Sequence, residues 1–163
     1  MNRFNLIAQP QRLARTLLVL LAAAVFPATA WSVEGINVVT SKYDVAETEQ
    51  RLVAALEEKG FTIMAQVDHA KGARSVDLEL APTRLVIFGN PAGGTRLMQC
   101  QRSVAIDLPM KMLIWNEGGE VHVAYNTADY LAGRHGLGDC AKPVQEKVGK
   151  VLDGLARTAA GRD

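Results

Sequence analysis

The stretch "MKMLIWNEGGEVHVAYN", residues 110–126, decides the architecture. Two alternating apolar runs flank Gly118-Gly119, and a Gly-Gly pair suits a two-residue hairpin turn. With that pair at the centre, Ile114 faces Val123 and Met112 faces Tyr125 on one side. On the other side Trp115 faces His122 and Leu113 faces Ala124. Met and aliphatic groups thus share one face, and a Trp-His pair sits on the opposite one.

Working outward, "INVVTS" (36–41) and "FTIMAQVDH" (61–69) read as strands, the second with Phe61, Ile63, Ala65 and Val67 on one face. "TRLVIFG" (83–89) is a largely apolar run of the kind found in central strands. Between the first two strands lies a helix with both ends marked. Asp44 is its N-cap, Glu47 has the capping-box spacing, and Gly60 stops it. Val45, Thr48, Leu52, Ala55 and Leu56 form its apolar face. "AKGARSVDLELAP" fits a short helix followed by an irregular approach to the next strand. "TRLMQCQRSVA" and "TADYLAGRHG" read as short helices. The last helix starts near Asp139 with Pro143 in its first turn, and carries a stripe of Val144, Val148, Val151, Leu152 and Leu155. The order β-α-β-β-α-β-β-α predicts an α+β fold, a single domain with one sheet and helices packed on it.

The first thirty residues stand outside that scheme. Arg3, Arg12 and Arg15 precede an apolar core from Leu17 to Phe26, then Pro27 and the small residues Ala28-Thr29-Ala30. This is the three-part pattern of a secretory signal peptide, with an uncleaved anchor as the alternative. The expected division is 1–30 as leader and 31–163 as the domain, exported to the periplasm or secreted, with no membrane span once the leader is removed. Three of the 18 Lys and Arg lie in the leader, which leaves 15 against 17 acidic residues. A chain of that balance with no basic stripe is not built for nucleic acid. An even pair of cysteines in an exported protein, Cys100 and Cys140, reads first as a disulfide. Two separately used thiols, or metal or redox chemistry, are the alternatives.

Several residues invite a functional reading. "GNPAGGT" (89–95) runs from a strand into a helix, the arrangement that presents backbone N–H groups to an anion. The P-loop lysine is absent, because Gly94 is followed by Thr95 and Arg96. The same residues are explained by a turn at Asn90-Pro91, glycines at positive φ, and Thr95 as helix cap. Imidazole and thioether groups (His69, His122, His135, Met98, Met110, Met112) raise copper, but no two histidines have helical i, i+4 spacing. His135 with Asp139 and Cys140 is the best local cluster. The serines, Ser103 among them, lie in no recognisable constellation. Asp68 and His69 are adjacent on a strand end and so point to opposite faces.

"SKYDVAET", "ALEEKGF", "VDHA", "LVIFGNP" with Gly94-Thr95, and "AIDLPMKMLIW" together resemble the family called domain of unknown function 302. The resemblance runs from Ser41 to about Leu152. It implies a small α+β domain that tends to pair as a homodimer, and it brings no catalytic residues. The expected function is an exported, non-enzymatic protein that binds a small ligand or a protein partner and needs no cofactor. The expected site is Asp68, His69, Gly89, Asn90, Gly94, Thr95 and Arg96. A metal or thiol-redox protein using Cys100, Cys140 and His135 is the alternative. A hydrolase or isomerase with His69 as base is a third reading.

Overall fold

The computed structural model describes residues 33–162; the leader read in the sequence lies outside them. The elements in chain order are β1 (Ile36–Ser41), α1 (Val45–Glu58), β2 (Thr62–Asp68), α2 (His69–Arg74), β3 (Thr83–Gly89) and α3 (Pro91–Cys100). A 3₁₀ turn (Arg102–Ile106) leads to β4 (Met110–Glu117), β5 (Glu120–Asn126), α4 (Ala128–His135) and α5 (Gly138–Ala160). The hairpin forms in the register expected, with Ile114 opposite Val123, Leu113 opposite Ala124 and Trp115 opposite His122. Gly118 and Gly119 have φ of 60° and 92°, the left-handed pair this turn requires.

All five strands join one antiparallel sheet in the order β1-β5-β4-β3-β2. The fold is therefore α+β, as the element order predicts. One sheet face supplies Val86, Phe88, Met112, Ile114, Val121, Val123 and Tyr125 to the main core. Helices α1 and α5 cover it with Leu52, Leu56, Leu152 and Leu155, all at most 1% exposed. Burying each such side chain contributes about 1.5–3 kcal/mol. The start of α1 is fixed by Asp44, whose carboxylate accepts the Glu47 N–H at 2.8 Å. Its buried residues are the five that the sequence period selects.

A second, smaller core lies between α3, the 3₁₀ turn, α4 and α5, built from Leu97, Val104, Ala132, Leu137 and Ala141. The Cys100–Cys140 disulfide ties the end of α3 to the start of α5 beside it.

Two expectations are corrected. Strand β2 does not keep one face: Ile63 pairs with Phe88, but Ala65 pairs with Ile87, so Met64 is a bulge. One extra residue reverses the alternation, and Ala65 and Val67 turn away from the core that Phe61 and Ile63 join. Pro143 lies beyond the first turn of α5, because that helix begins at Gly138.

Candidate functional site

The residues read as one pocket occupy two ends of a ladder. Asp68 pairs with Arg84 at one end of β2–β3, and Thr62 pairs with Gly89 at the other. Five strand steps separate Arg84 from Gly89, about 17 Å. Asp68 and His69 lie at the first end and Gly89, Asn90, Gly94, Thr95 and Arg96 at or beyond the second, and the structure does not join the two groups.

Asp68 ends β2 and caps α2, its Oδ1 accepting the Lys71 N–H at 2.8 Å. Its Oδ2 lies 3.2 Å from Arg84 Nη1 and 4.0 Å from Arg74 Nη2. The Lys71 amide holds this carboxyl below its ordinary value; burial opposes, and Arg84 and Arg74 reinforce. His69 opens α2 and is exposed.

At the other end the glycines are not a loop. Asn90 is the N-cap of α3, its Oδ1 accepting the Gly93 N–H at 3.2 Å, and Pro91 opens the helix. Thr95 is not the cap; it sits inside α3. Gly89, Gly93 and Gly94 do not adopt positive φ. The reason is local: Asn caps well, and Pro at the first helical position needs no N–H partner. Thr95 is exposed and lines an open concavity of about 630 Å³ with Met98, Gln99, Cys100, Gln101, Arg102 and Ala105. Arg96 is exposed beside it on α3.

A cluster that sequence spacing does not reveal lies elsewhere. Ser103 Oγ is 3.0 Å from His135 Nδ1, and His135 Nε2 is 2.6 Å from Asp107 Oδ2. Arg134 Nε stands 3.5 Å from the same Asp107 oxygen. The imidazole is 6% exposed and the Asp107 side chain 14%, whereas Ser103 is on the surface. The 3₁₀ turn supplies the serine, the residue after it the aspartate, and the last residue of α4 the histidine. Chain separations of 28 and 32 residues leave no local motif. His135 does not join Asp139, which is instead paired with Lys142 at 2.6 Å.

Cys100 and Cys140 are bonded to each other. No group of three His, Cys, Asp or Glu side chains converges among the described residues. Met112 is fully buried in the main core and Met110 packs against it; Met98 packs on the second core.

The sheet face away from α1 and α5 carries an apolar row across all five strands: Val38, Ala124, Leu113, Leu85 and Val67 in register. None of these enters either buried cluster. His122 lies on this face, 6% exposed, its ring 5.0 Å from that of Trp115. Its Nδ1 has no hydrogen-bond partner.

A five-stranded antiparallel sheet with two helices over one face, and a disulfide-tied satellite core, defines a small α+β domain. The chain belongs to the family described as domain of unknown function DUF302, whose model matches residues 37–155. It shares its fold with an uncharacterized conserved DUF302 protein from Bacillus stearothermophilus, with a TM-score of 0.71 at 20% identity. The match covers 78% of this chain and 99% of that one. Proteins named fluoride-specific ion channel FluC 1 in Brucella suis and Brucella abortus, and FluC 2 in Brucella melitensis, are 44% identical over 105 residues. That segment is 64% of this chain but only 41% of the Brucella suis protein and 39% of the other two. No described helix is long and apolar enough to cross a membrane.

Proposed function

We propose that this chain is an exported partner-binding domain that pairs with a second copy of itself through the open sheet face. The observation that carries the reading is the cross-strand row of Val38, Ala124, Leu113, Leu85 and Val67, which no described helix packs into a core. Val38, Leu113, Leu85 and Val67 are half-buried and Ala124 is buried, so the row is a partly uncovered apolar face, the kind of surface that a partner can complete. Separately, the connection after α2 exposes Val76 and Leu78, each 63%, and Leu80 at 49%. A small-ligand pocket is the weaker reading, because Asp68 and Asn90 already use their side-chain oxygens as helix caps. Export rests on the leader pattern at 1–30, and a disulfide suits an oxidising compartment. Light scattering on the full chain at micromolar concentration is the test: twice the chain mass supports the pairing, and a monomer throughout removes it.

The curated relatives favour a second reading, in which the partner is a membrane channel. In those proteins the matching segment shares a chain with further sequence, and a channel requires spanning helices or a closed barrel. A domain fused to such a sequence in one protein is read as acting beside it in another. Titration of this chain onto the Brucella suis protein lacking its matching segment, held in detergent, tests the idea; absence of saturable binding rejects it.

A further inference from the structure

We infer that Ser103, His135 and Asp107 form an acyl-transfer site, with Ser103 as the nucleophile for small esters that carry an apolar acyl group. The carboxylate of Asp107 has no proton to give, so His135 Nε2–H donates to it across 2.6 Å. That fixes the tautomer and leaves the Nδ1 lone pair as acceptor for the Ser103 hydroxyl at 3.0 Å. A base within hydrogen-bond reach of a nucleophile, itself oriented by a third group, is the geometry by which hydroxyls are activated. Here the ring nitrogens have exchanged roles, which leaves the proton path intact. Exposure is graded along the relay: the His135 imidazole is 6% exposed, the orienting Asp107 carboxylate 14%, and the nucleophile is open to solvent. The Arg134 guanidinium, 3.5 Å away, sets a positive charge beside the Asp107 carboxylate and anchors it from the outside.

The same turn supplies the landing surface. In a 3₁₀ helix residues three apart eclipse one another, so Ile106 lies over the Ser103 side of the turn. Ile106 is 76% exposed and joins neither core. An apolar acyl chain resting on it brings its carbonyl carbon to Ser103.

The chemistry balances with water alone. As the Ser103 Oγ–C bond forms, the hydroxyl proton passes to His135 Nδ1, and the imidazolium is held by Asp107. His135 returns that proton to the leaving alkoxide as its C–O bond breaks, giving an alcohol and acyl-Ser103. Water then attacks the acyl carbon, giving its proton to the same nitrogen, and the carboxylic acid leaves as Ser103 is re-protonated. The net change is ester plus water to acid plus alcohol, and it uses no part of the open sheet face.

The test is labelling of the purified full chain with a fluorophosphonate, with adducts located by peptide mass spectrometry. Ser75 is the internal control, being exposed, with its hydroxyl donating to the Gly72 carbonyl at 2.6 Å and to no base. Ser103 is expected to label on the order of 100-fold faster than Ser75, the scale of general-base assistance. Ser103→Ala abolishes that adduct, and His135→Ala in a folded protein brings the rate to that of Ser75. Asp107 is a positioning residue: Asp107→Asn slows labelling, and Asp107→Glu restores it in part. Equal labelling of Ser103 and Ser75 in the unmodified chain overturns the proposal, as does a rate indifferent to His135→Ala. The first comparison needs no variant to fold.

Discussion

Asp68 and Arg84 face each other across the β2–β3 ladder, with Arg84 Nη1 3.2 Å from Asp68 Oδ2. The other oxygen of Asp68 accepts the Lys71 amide. One carboxylate therefore closes the strand pair and starts α2, and its partner Arg84 reaches on to α1, where its Nε lies 3.8 Å from Glu49.

The pH dependence of that contact has a definite sign. The Asp68 carboxyl is held below its ordinary 3.8, first by the Lys71 amide. A depressed carboxyl adds stability that is present above 3.8 and is lost as the pH falls through the folded value. Asp68→Asn keeps a capping oxygen but removes the charge. Denaturant unfolding at neutral pH should show the variant less stable, with the gap closing below pH 3.8. A gap independent of pH contradicts this account.

Tyr125 gives the mirror case at alkaline pH. Its hydroxyl accepts from Asn37 Nδ2 at 2.7 Å. Burial raises its pKa above 10.0; the Asn37 bond opposes this and the Asp153 charge adds to it. A raised value means stability present below pH 10 and lost as the pH climbs through the folded pKa. Tyr125→Phe should cost about 1 kcal/mol at pH 7 and flatten the loss above pH 10, as read by urea unfolding.

The disulfide closes a loop of 40 residues. In the chain-entropy model a loop of that length contributes about 4 kcal/mol. Replacing both cysteines with Ala should lower the urea midpoint accordingly. Hydrogen exchange should quicken first in α3 and the start of α5, the segments the bond joins.

What the sequence reveals here follows how local each determinant is. The hairpin register, the α1 face and its Asp44 cap rest on neighbours within a few residues, and they appear in the structure as read. The bulge at Met64 is invisible to a period-two count, because only pairing with β3 exposes it. Asn90 and Thr95 are both good caps, and it is Pro91 that selects the earlier one. The Ser103–His135–Asp107 cluster needs α4 to return against the 3₁₀ turn, a tertiary event with no local signature. The Asp68 and Asn90 groups lie within 22 residues yet at opposite strand ends, because antiparallel pairing puts the start of β3 beside the end of β2.

Leu113 and Met112 are adjacent in β4 and point to opposite faces of the sheet, so the proposed pairing can be tested apart from the core. Met112 is fully buried under the helices, so Met112→Ala should cost about 2–5 kcal/mol. Leu113 is in the open row, in register with Leu85 and Ala124. Leu113→Asp places a charge where a second copy would press an apolar surface, and an unpaired buried charge is strongly unfavourable. If two copies pair through this face as proposed, light scattering should find Leu113→Asp at single-chain mass where the unmodified chain has twice that mass, while its circular dichroism stays that of the folded domain. Met112→Ala should do the reverse, losing stability while keeping the dimer at temperatures where it remains folded. If Leu113→Asp leaves the mass unchanged, the pairing surface lies elsewhere, and the exposed run of Val76, Leu78 and Leu80 is the next to be charged.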